Sequence, residues 1–137
     1  MKASVLVPTY NHARYISQCL DSLISQKTNF EFEIIVGEDD STDNTRNICK
    51  EYEKNYPDSI RLFLNDRSNV IYLNGKPSGR WNLMNLLLHA RGEYIAICEG
   101  DDYWTDSEKL NKQITPIPHK YDSSLTLSLE QFRHLMN

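Results

Sequence analysis

Short apolar runs and longer stretches with helical spacing alternate along the chain. The first two apolar runs extend from Ala3 to Val7 and from Phe32 to Val36. Between them, apolar residues recur every three or four positions from Ala13 to about Gln26, which predicts an amphipathic helix with one buried face. The opening of the chain therefore predicts a strand, a crossover helix and a second strand. Pro8 is expected to end the first strand, because proline has no N–H to donate to a sheet.

The same alternation continues through most of the chain. Helical spacing predicts helices from Thr45 to about Tyr56 and from Arg80 to about Ala90, and apolar runs predict strands at Ile60 to Leu64 and Glu93 to Cys98. The segment from Asn65 to Gly79 is rich in Asn, Ser, Gly and Pro, which predicts a long functional loop. Continuous apolar strands that alternate with helices predict an α/β fold, with a mostly parallel sheet and helices on both faces.

Polar segments follow three of the predicted strands. Pro8 to Asn11 follows the first strand, Glu38 to Asp40 the second and Glu99 to Asp102 the fourth. In open α/β sheets, ligands bind beyond the carboxyl ends of the strands. If these strands are neighbours, the three segments share one rim. There, a carboxylate can accept a hydrogen bond from a ring N–H, which is one way to recognise uracil or a similar base.

The cluster of three carboxylates in Glu99 to Asp102 predicts a divalent metal site, because the charges repel one another unless water or a cation intervenes. On an extended backbone, residues i and i+2 face the same way, so Glu99 and Asp101 are expected to converge. Hard oxygen ligands of this kind suit magnesium or manganese. A solvated acidic loop that caps the next helix is the alternative interpretation. Upstream, Gly92 is expected to adopt the left-handed conformation after a helix.

Composition narrows the class of protein. A chain of 137 residues with 39% hydrophobic and 25% charged residues is typical of one soluble domain. No apolar run approaches the roughly 18 residues that a membrane span needs, and the start of the chain does not have the pattern of a signal peptide, so we expect a cytoplasmic location without a transmembrane segment. The net charge of −4 argues against nucleic acid as a partner.

Cysteine and histidine usage gives no evidence for a disulfide framework or a zinc site. The three cysteines lie far apart and none belongs to a CxxC pair, so they are interpreted as buried reduced thiols. The four histidines share no ligand spacing on one element and are interpreted as surface or structural residues.

Four segments, in order, resemble the family 2 glycosyltransferases, which are inverting enzymes of the GT-A fold. Each segment alone is weak, and the four together are specific. They cover roughly residues 3 to 113. The matching segments are Val7 to Asn11, Ile35 to Thr45, Gly92 to Ile95 and Glu99 to Trp104.

The resemblance implies a site for a nucleotide-diphosphate sugar, expected to be a uridine-diphosphate sugar. By this resemblance, Pro8, Thr9 and Tyr10 line the base and ribose pocket. Asp39 accepts the uracil N–H, and Glu38 stands where many members of the family carry Asp.

The resemblance also implies a divalent cofactor, Mn²⁺ or Mg²⁺. Asp101 and Asp102 carry the metal-binding motif, and Glu99 replaces the usual first Asp of that motif. Asp101 is also expected to contribute to binding the nucleotide. Which of the two aspartates is the direct ligand stays open at this point.

The resemblance fades after Gln113, where two prolines interrupt an expected helix. We therefore predict a nucleotide-sugar-binding half-domain at residues 1–113 and a divergent tail at residues 114–137. Inverting transfer needs a general base near the acceptor hydroxyl, and in this family that Asp or Glu lies in a later segment. By this interpretation the donor half is present and the acceptor half is absent. The acceptor, a carbohydrate or another hydroxyl compound, is not identified.

Two other classes of function remain open. The chain could be a non-catalytic or truncated nucleotide-sugar-binding module. It could also be a nucleotidyltransferase, although these usually place a Gly-rich, basic phosphate loop after the first strand, and the segment after Val7 has neither feature. In addition, an apolar face where an acceptor half would pack is expected to drive homodimerisation.

Overall fold

Four strands form where the apolar runs lie, and they assemble into one parallel sheet. The computed structural model describes residues 1–116. The strands of these residues are β1 (Ala3–Thr9), β2 (Phe32–Glu38), β3 (Ile60–Leu64), β4 (Ile71–Leu73), β5 (Lys76–Ser78) and β6 (Tyr94–Ile97). The helices are α1 (Ile16–Ile24), α2 (Thr45–Asn55), α3 (Arg80–His89) and α4 (Lys109–Ile114), with one short 3₁₀ helix at Arg67–Asn69.

The main sheet has the strand order β3-β2-β1-β6, and its three strand pairs are all parallel. Val5 of β1 lies opposite Ile34 of β2 on one side and Ala96 of β6 on the other. The segments that follow β2 and β6 therefore flank the end of β1. This arrangement confirms the predicted α/β fold with a mostly parallel sheet.

Helices cover both faces of the sheet, because alternate strand residues point to opposite sides. Val5 of β1 belongs to a buried cluster with the apolar face of α1, whereas Leu6 packs with Ile35 and with Leu86 of α3. The larger cluster also contains apolar residues of α2 and α4. Burial on both faces explains why β1 and β2 are apolar without alternation.

The prediction that Pro8 ends the first strand is wrong, since β1 continues to Thr9 and Pro8 lies opposite Gly37. The Pro8 carbonyl accepts a hydrogen bond from the Gly100 N–H, so the backbone nitrogen and carbonyl of Pro8 point toward the β6 side of β1. Because β6 ends at Ile97, no strand lies there to need an N–H donor. Proline is therefore tolerated inside a central strand.

The prediction of a left-handed conformation for Gly92 is also wrong. Among residues 1–116, the only glycine with positive φ is Gly75. The reason for a glycine at position 92 is close packing, because a Cβ there would lie 2.3 Å from the backbone of Ala3 and Ser4. The residue that caps α3, Ala90, is already extended, with φ −63° and ψ 138°.

The predicted loop from Asn65 to Gly79 contains regular structure. β4 and β5 form a small antiparallel hairpin, with Ile71 opposite Ser78. Asn74 and Gly75 make its turn with φ of 51° and 75°, values that suit the Asn-Gly pairs of tight hairpins. The sequence therefore carried a hairpin signal that the loop prediction overlooked.

The described part of the chain reaches just past the predicted domain boundary. α4 ends at Ile114, and residues 117–137 of the predicted tail lie outside the described residues, so the boundary at 113 stays a prediction. The cysteines Cys19, Cys49 and Cys98 are free and buried, as expected. None of the helices in residues 1–116 has the length and apolar character to cross a membrane.

Candidate functional site

The carboxyl ends of β1, β2 and β6 meet at one rim and are joined there by backbone hydrogen bonds. The Asp39 N–H donates to the Thr9 carbonyl over 3.0 Å, and the Gly100 N–H donates to the Pro8 carbonyl over the same distance. The end of β1 thus holds the segment after β2 on one side and the segment after β6 on the other. The expected convergence of the three polar segments is present in the structure.

Asp39 lies buried at this rim with an incomplete set of partners. The residue is 2% exposed, and its Oδ2 accepts from Nη1 of Arg67 over 3.3 Å. Its other oxygen, Oδ1, is buried and has no hydrogen-bond partner within residues 1–116. Burial raises the pKa of this carboxyl, and the opposing charge of Arg67 offsets only part of the effect. The site therefore contains an acceptor that lacks a donor.

Tyr10 and Arg67 lie next to this carboxylate. The guanidinium carbon of Arg67 lies 4.1 Å from the centre of the Tyr10 ring, a cation–π contact. Tyr10 is 36% exposed, so its ring borders the open rim. We call Tyr10, Asp39 and Arg67 the base corner. It combines an aromatic face, a buried acceptor and a cationic donor.

Glu38 lies beneath the base corner and is fully buried. Its carboxylate forms an ion pair with Arg46 and accepts a hydrogen bond from the Ser41 N–H over 2.8 Å. Arg46 also donates to the Asn65 carbonyl over 2.7 Å. Protein donors thus engage both oxygens of Glu38, which indicates a role in positioning Asp39. Direct contact of Glu38 with a nucleotide stays a prediction.

A buried amide network supports the end of β2. The Asn82 side chain donates to the Gly37 carbonyl over 2.7 Å and accepts from the Asn65 side chain over the same distance. Asn85 in turn donates to the Asn65 side chain over 3.1 Å. A Cβ on Gly37 would lie 2.0 Å from Oδ1 of Asn82, so only glycine permits this network.

The segment Glu99–Asp102, which we call the acidic turn, packs on the end of β1. It is a turn in which the Asp102 N–H donates to the Glu99 carbonyl over 2.9 Å. The assumption of an extended backbone here is therefore wrong, and alternation does not bring Glu99 and Asp101 together. Gly100 is buried against Thr9, and the carboxylates beside it are exposed.

The acidic turn has the donor chemistry of a divalent cation site. Asp101 and Asp102 present exposed carboxylates at the open rim. Within residues 1–116, no group of three or more His, Cys, Asp or Glu side chains is close enough to hold a metal ion. Two hard oxygen ligands nevertheless fit Mg²⁺ or Mn²⁺ when substrate phosphates complete the shell, which is how such ions are commonly bound. Ligation of such an ion by Asp101 and Asp102, and the participation of Glu99, stay predictions.

His12 is a further residue at this rim that the sequence did not identify as functional. Its Nδ1 lies 3.0 Å from the Thr9 hydroxyl, and its Nε2 lies 3.7 Å from Oδ2 of Asp101. Arg46 and Arg67 were also missed. Both are single basic residues in helical or loop segments without a motif, and only the folded chain brings them next to Glu38 and Asp39.

Comparison with known proteins shows which family this architecture defines. The family model for glycosyl transferase family 2 matches residues 4–129, which is most of the chain. The chain belongs to glycosyl transferase family 2. This result confirms the resemblance that the four sequence segments indicated.

Relatives and solved structures agree with this assignment. An uncharacterized protein of Mycobacterium tuberculosis is 41% identical over 111 residues, 81% of this chain and 30% of the relative. TarS of S. aureus in complex with UDP-GlcNAc is 31% identical, with a TM-score of 0.62 over 84% of this chain and 30% of that chain. The mannosyltransferase PcManGT of Pyrobaculum calidifontis, in complex with GDP-Man and Mn²⁺, is 28% identical, with a TM-score of 0.66 over 85% and 33%. The chain thus spans about a third of the mycobacterial relative and of each of these two solved chains, and the TarS chain is itself a fragment, residues 1–349.

Proposed function

We propose that this chain forms the donor-binding part of an inverting glycosyltransferase and binds a uridine-diphosphate sugar together with Mn²⁺ or Mg²⁺. The observation that carries the proposal is the buried Oδ1 of Asp39, which has no hydrogen-bond partner among the described residues. A buried acceptor without a donor costs free energy, and a ligand N–H can recover that cost. The ring N–H of uracil is a donor of the required kind.

The base corner supplies the remaining contacts that a nucleobase needs. The Tyr10 ring offers an aromatic face, and Arg67 offers N–H donors that suit ring carbonyl oxygens. TarS with UDP-GlcNAc supports uracil as the base, whereas PcManGT with GDP-Man supports a guanine. We favour uracil because it presents one N–H between two carbonyl oxygens. The N–H matches the free Oδ1 of Asp39, and a carbonyl oxygen beside it matches the cationic donor Arg67.

We propose that the acidic turn serves the diphosphate of the same ligand. Neighbouring strands are about 4.8 Å apart, so the ends of β2 and β6 lie roughly 10 Å apart across β1. We propose that one nucleotide bridges this distance, with its base at Asp39 and its diphosphate at Asp101 and Asp102. A bound Mn²⁺ or Mg²⁺ there would neutralise the charge of the departing diphosphate.

Transfer to an acceptor is proposed for the protein to which this donor site belongs. Inversion requires a general base near the attacking hydroxyl, and we assign this role to no residue among 1–116. A non-catalytic nucleotide-sugar-binding module is the alternative, and release of free sugar or product from UDP-sugars separates the two. The expected cytoplasmic location remains part of this proposal.

Calorimetric titration with UDP and with GDP, each with and without Mn²⁺, tests the proposal. We expect UDP to bind more tightly than GDP, and Mn²⁺ to strengthen binding of both. Asp39→Asn keeps the shape of the side chain, but when its amide oxygen accepts from Arg67 its NH₂ group faces the ligand N–H. The variant should therefore weaken UDP binding about 10-fold or more, as expected for loss of a hydrogen bond to a charged group. Asp58→Asn, at an exposed position before β3 at the opposite end of the sheet, is the matched control. Equal UDP affinity for wild type and Asp39→Asn would contradict the assignment.

A further inference from the structure

We propose that His12 is a positioning residue that fixes the acidic turn and directs the Asp101 carboxylate toward the ligand. The inference rests on the proposed function, because it assigns to His12 the support of a metal-binding carboxylate. Supporting partners of this kind orient metal ligands in many proteins and change metal affinity when they are replaced.

The imidazole ring bridges the end of β1 and the acidic turn. Its Nδ1 is 3.0 Å from Oγ1 of Thr9, a residue that is 2% exposed, and its Nε2 faces Oδ2 of Asp101 at 3.7 Å. A neutral imidazole carries its proton on one nitrogen only. When the Thr9 hydroxyl donates to Nδ1, the proton resides on Nε2 and points toward the Asp101 carboxylate. The Asp101 carboxylate can only accept, so it favours this tautomer, and the Thr9 hydroxyl completes the arrangement as the donor to Nδ1.

The main chain of His12 is itself held from a third side. Its N–H donates to Oγ1 of Thr45, the first residue of α2, over 2.9 Å. The Thr45 hydroxyl is fixed in turn by a hydrogen bond to Asp43. The ring is therefore anchored at its backbone and at Nδ1, which leaves Nε2 as the nitrogen that can act on another group.

Gly100 provides independent evidence that the acidic turn is seated on this ring. A Cβ at Gly100 would lie 2.3 Å from Oγ1 of Thr9 and 2.7 Å from Nδ1 of His12. The turn can therefore approach the Thr9–His12 pair only because position 100 has no side chain. Its N–H also donates to the Pro8 carbonyl, which holds the turn at this distance.

The first test reads the tautomer directly and does not depend on any ligand. Long-range ¹H–¹⁵N NMR of the full chain distinguishes a protonated from an unprotonated ring nitrogen. We expect His12 to carry its proton on Nε2, with Nδ1 unprotonated, in wild type. Thr9→Val, which keeps the shape of Thr9 without its hydroxyl, should weaken this preference. A neutral His12 with its proton on Nδ1 would overturn the proposal.

The second test separates the metal end of the site from the base end. Uridine probes the base corner alone, and UDP with Mn²⁺ probes both ends. His12→Ala should lower the gain in UDP affinity due to Mn²⁺ about 10-fold and leave uridine affinity within about twofold of wild type. His12→Gln keeps an N–H donor near the position of Nε2 and should restore most of this gain. His89→Gln, at an exposed histidine at the end of α3, is the matched control.

The outcomes of the two tests distinguish the two proposals. An equal loss of uridine and UDP affinity in His12→Ala would show a general structural role and contradict the positioning role, as would unchanged Mn²⁺ dependence. If wild type binds neither uridine nor UDP, the proposed function fails, and the tautomer measurement still decides whether His12 directs a proton to Asp101.

Discussion

Replacing Arg46 with methionine should destabilise the protein strongly, because it leaves the buried carboxylate of Glu38 without its counterion. Glu38 is fully buried, whereas the Arg46 side chain is 28% exposed. In the variant, the Ser41 N–H is the remaining donor described for the carboxylate, and the hydrogen bond to the Asn65 carbonyl is lost as well. Removing one partner of a buried ion pair lowers the free energy of unfolding by about 3–5 kcal/mol. Because Arg46 is partly exposed, we expect a loss near the lower limit, about 3 kcal/mol.

The reverse substitution gives a contrast that identifies the cause. Glu38→Gln removes the buried charge itself, and the partly exposed Arg46 keeps access to water and to Asp40, 3.7 Å away. We expect a cost of about 1 kcal/mol for this variant, near the typical net value of one hydrogen bond. The asymmetry between the two variants would show that the cost arises from an unpaired buried charge.

Urea unfolding at pH 7, followed by circular dichroism and extrapolated linearly to water, measures both free energies of unfolding. Lys50→Met is the control for Arg46→Met, because Lys50 is an exposed residue on the same helix. Its cost should be within about 0.5 kcal/mol of zero. A loss below about 1 kcal/mol for Arg46→Met, or a loss equal to that of Glu38→Gln, would refute the reasoning.

Three further predictions concern other parts of the fold. Gly37→Ala should lower the free energy of unfolding in urea by about 1–3 kcal/mol, because its Cβ would overlap Asn82. Gly79→Ala has open space around the new Cβ and should lower it by less than about 1 kcal/mol. Equal losses in the two variants would contradict this prediction. Burial raises the pKa of Asp39 in the folded state. As pH rises from the ordinary aspartate pKa through this raised pKa, ionisation of Asp39 therefore destabilises the folded state. Asp39→Asn should be more stable than wild type at pH 7, and by a smaller margin near pH 4. The opposite trend in thermal unfolding would show that Arg67 dominates. For the predicted homodimer, we now place the contact at the β6 edge of the described sheet, where Ile97 is 50% exposed. Ile97→Lys should then shift the size-exclusion profile to monomer, and a monomeric wild type would refute the prediction.

The four strands of the main sheet could be predicted well because their signal is local. The bounds of β3 agree with the apolar run from Ile60 to Leu64. β2 extends two residues beyond its predicted end, through Gly37 and Glu38, because pairing with β1 and β3 overrides their weak preference for strands. The error at Pro8 has the same origin, since the tolerance of a proline depends on which neighbour its missing N–H faces.

The sequence predicted which segments form the site, but it did not predict the contacts between their side chains. The rim location of Asp39 and of the acidic turn follows from strand ends, which the sequence marks clearly. The contacts of Arg67 with Asp39 and of His12 with Asp101 join residues 28 and 89 positions apart in the chain. No periodicity relates such positions, and the sequence therefore predicted the carboxylates without the basic groups that contact them.

The central position of β1 has a consequence for how the binding site matures. Ala3 of β1 lies opposite Phe32 in one partner strand and opposite Tyr94 in the other. Because domains fold as their residues leave the ribosome, the β1–β2 ladder has its full sequence long before β6 emerges. A nascent polypeptide should therefore be able to form the corner of Tyr10, Asp39 and Arg67 before the residues of the acidic turn have been synthesised.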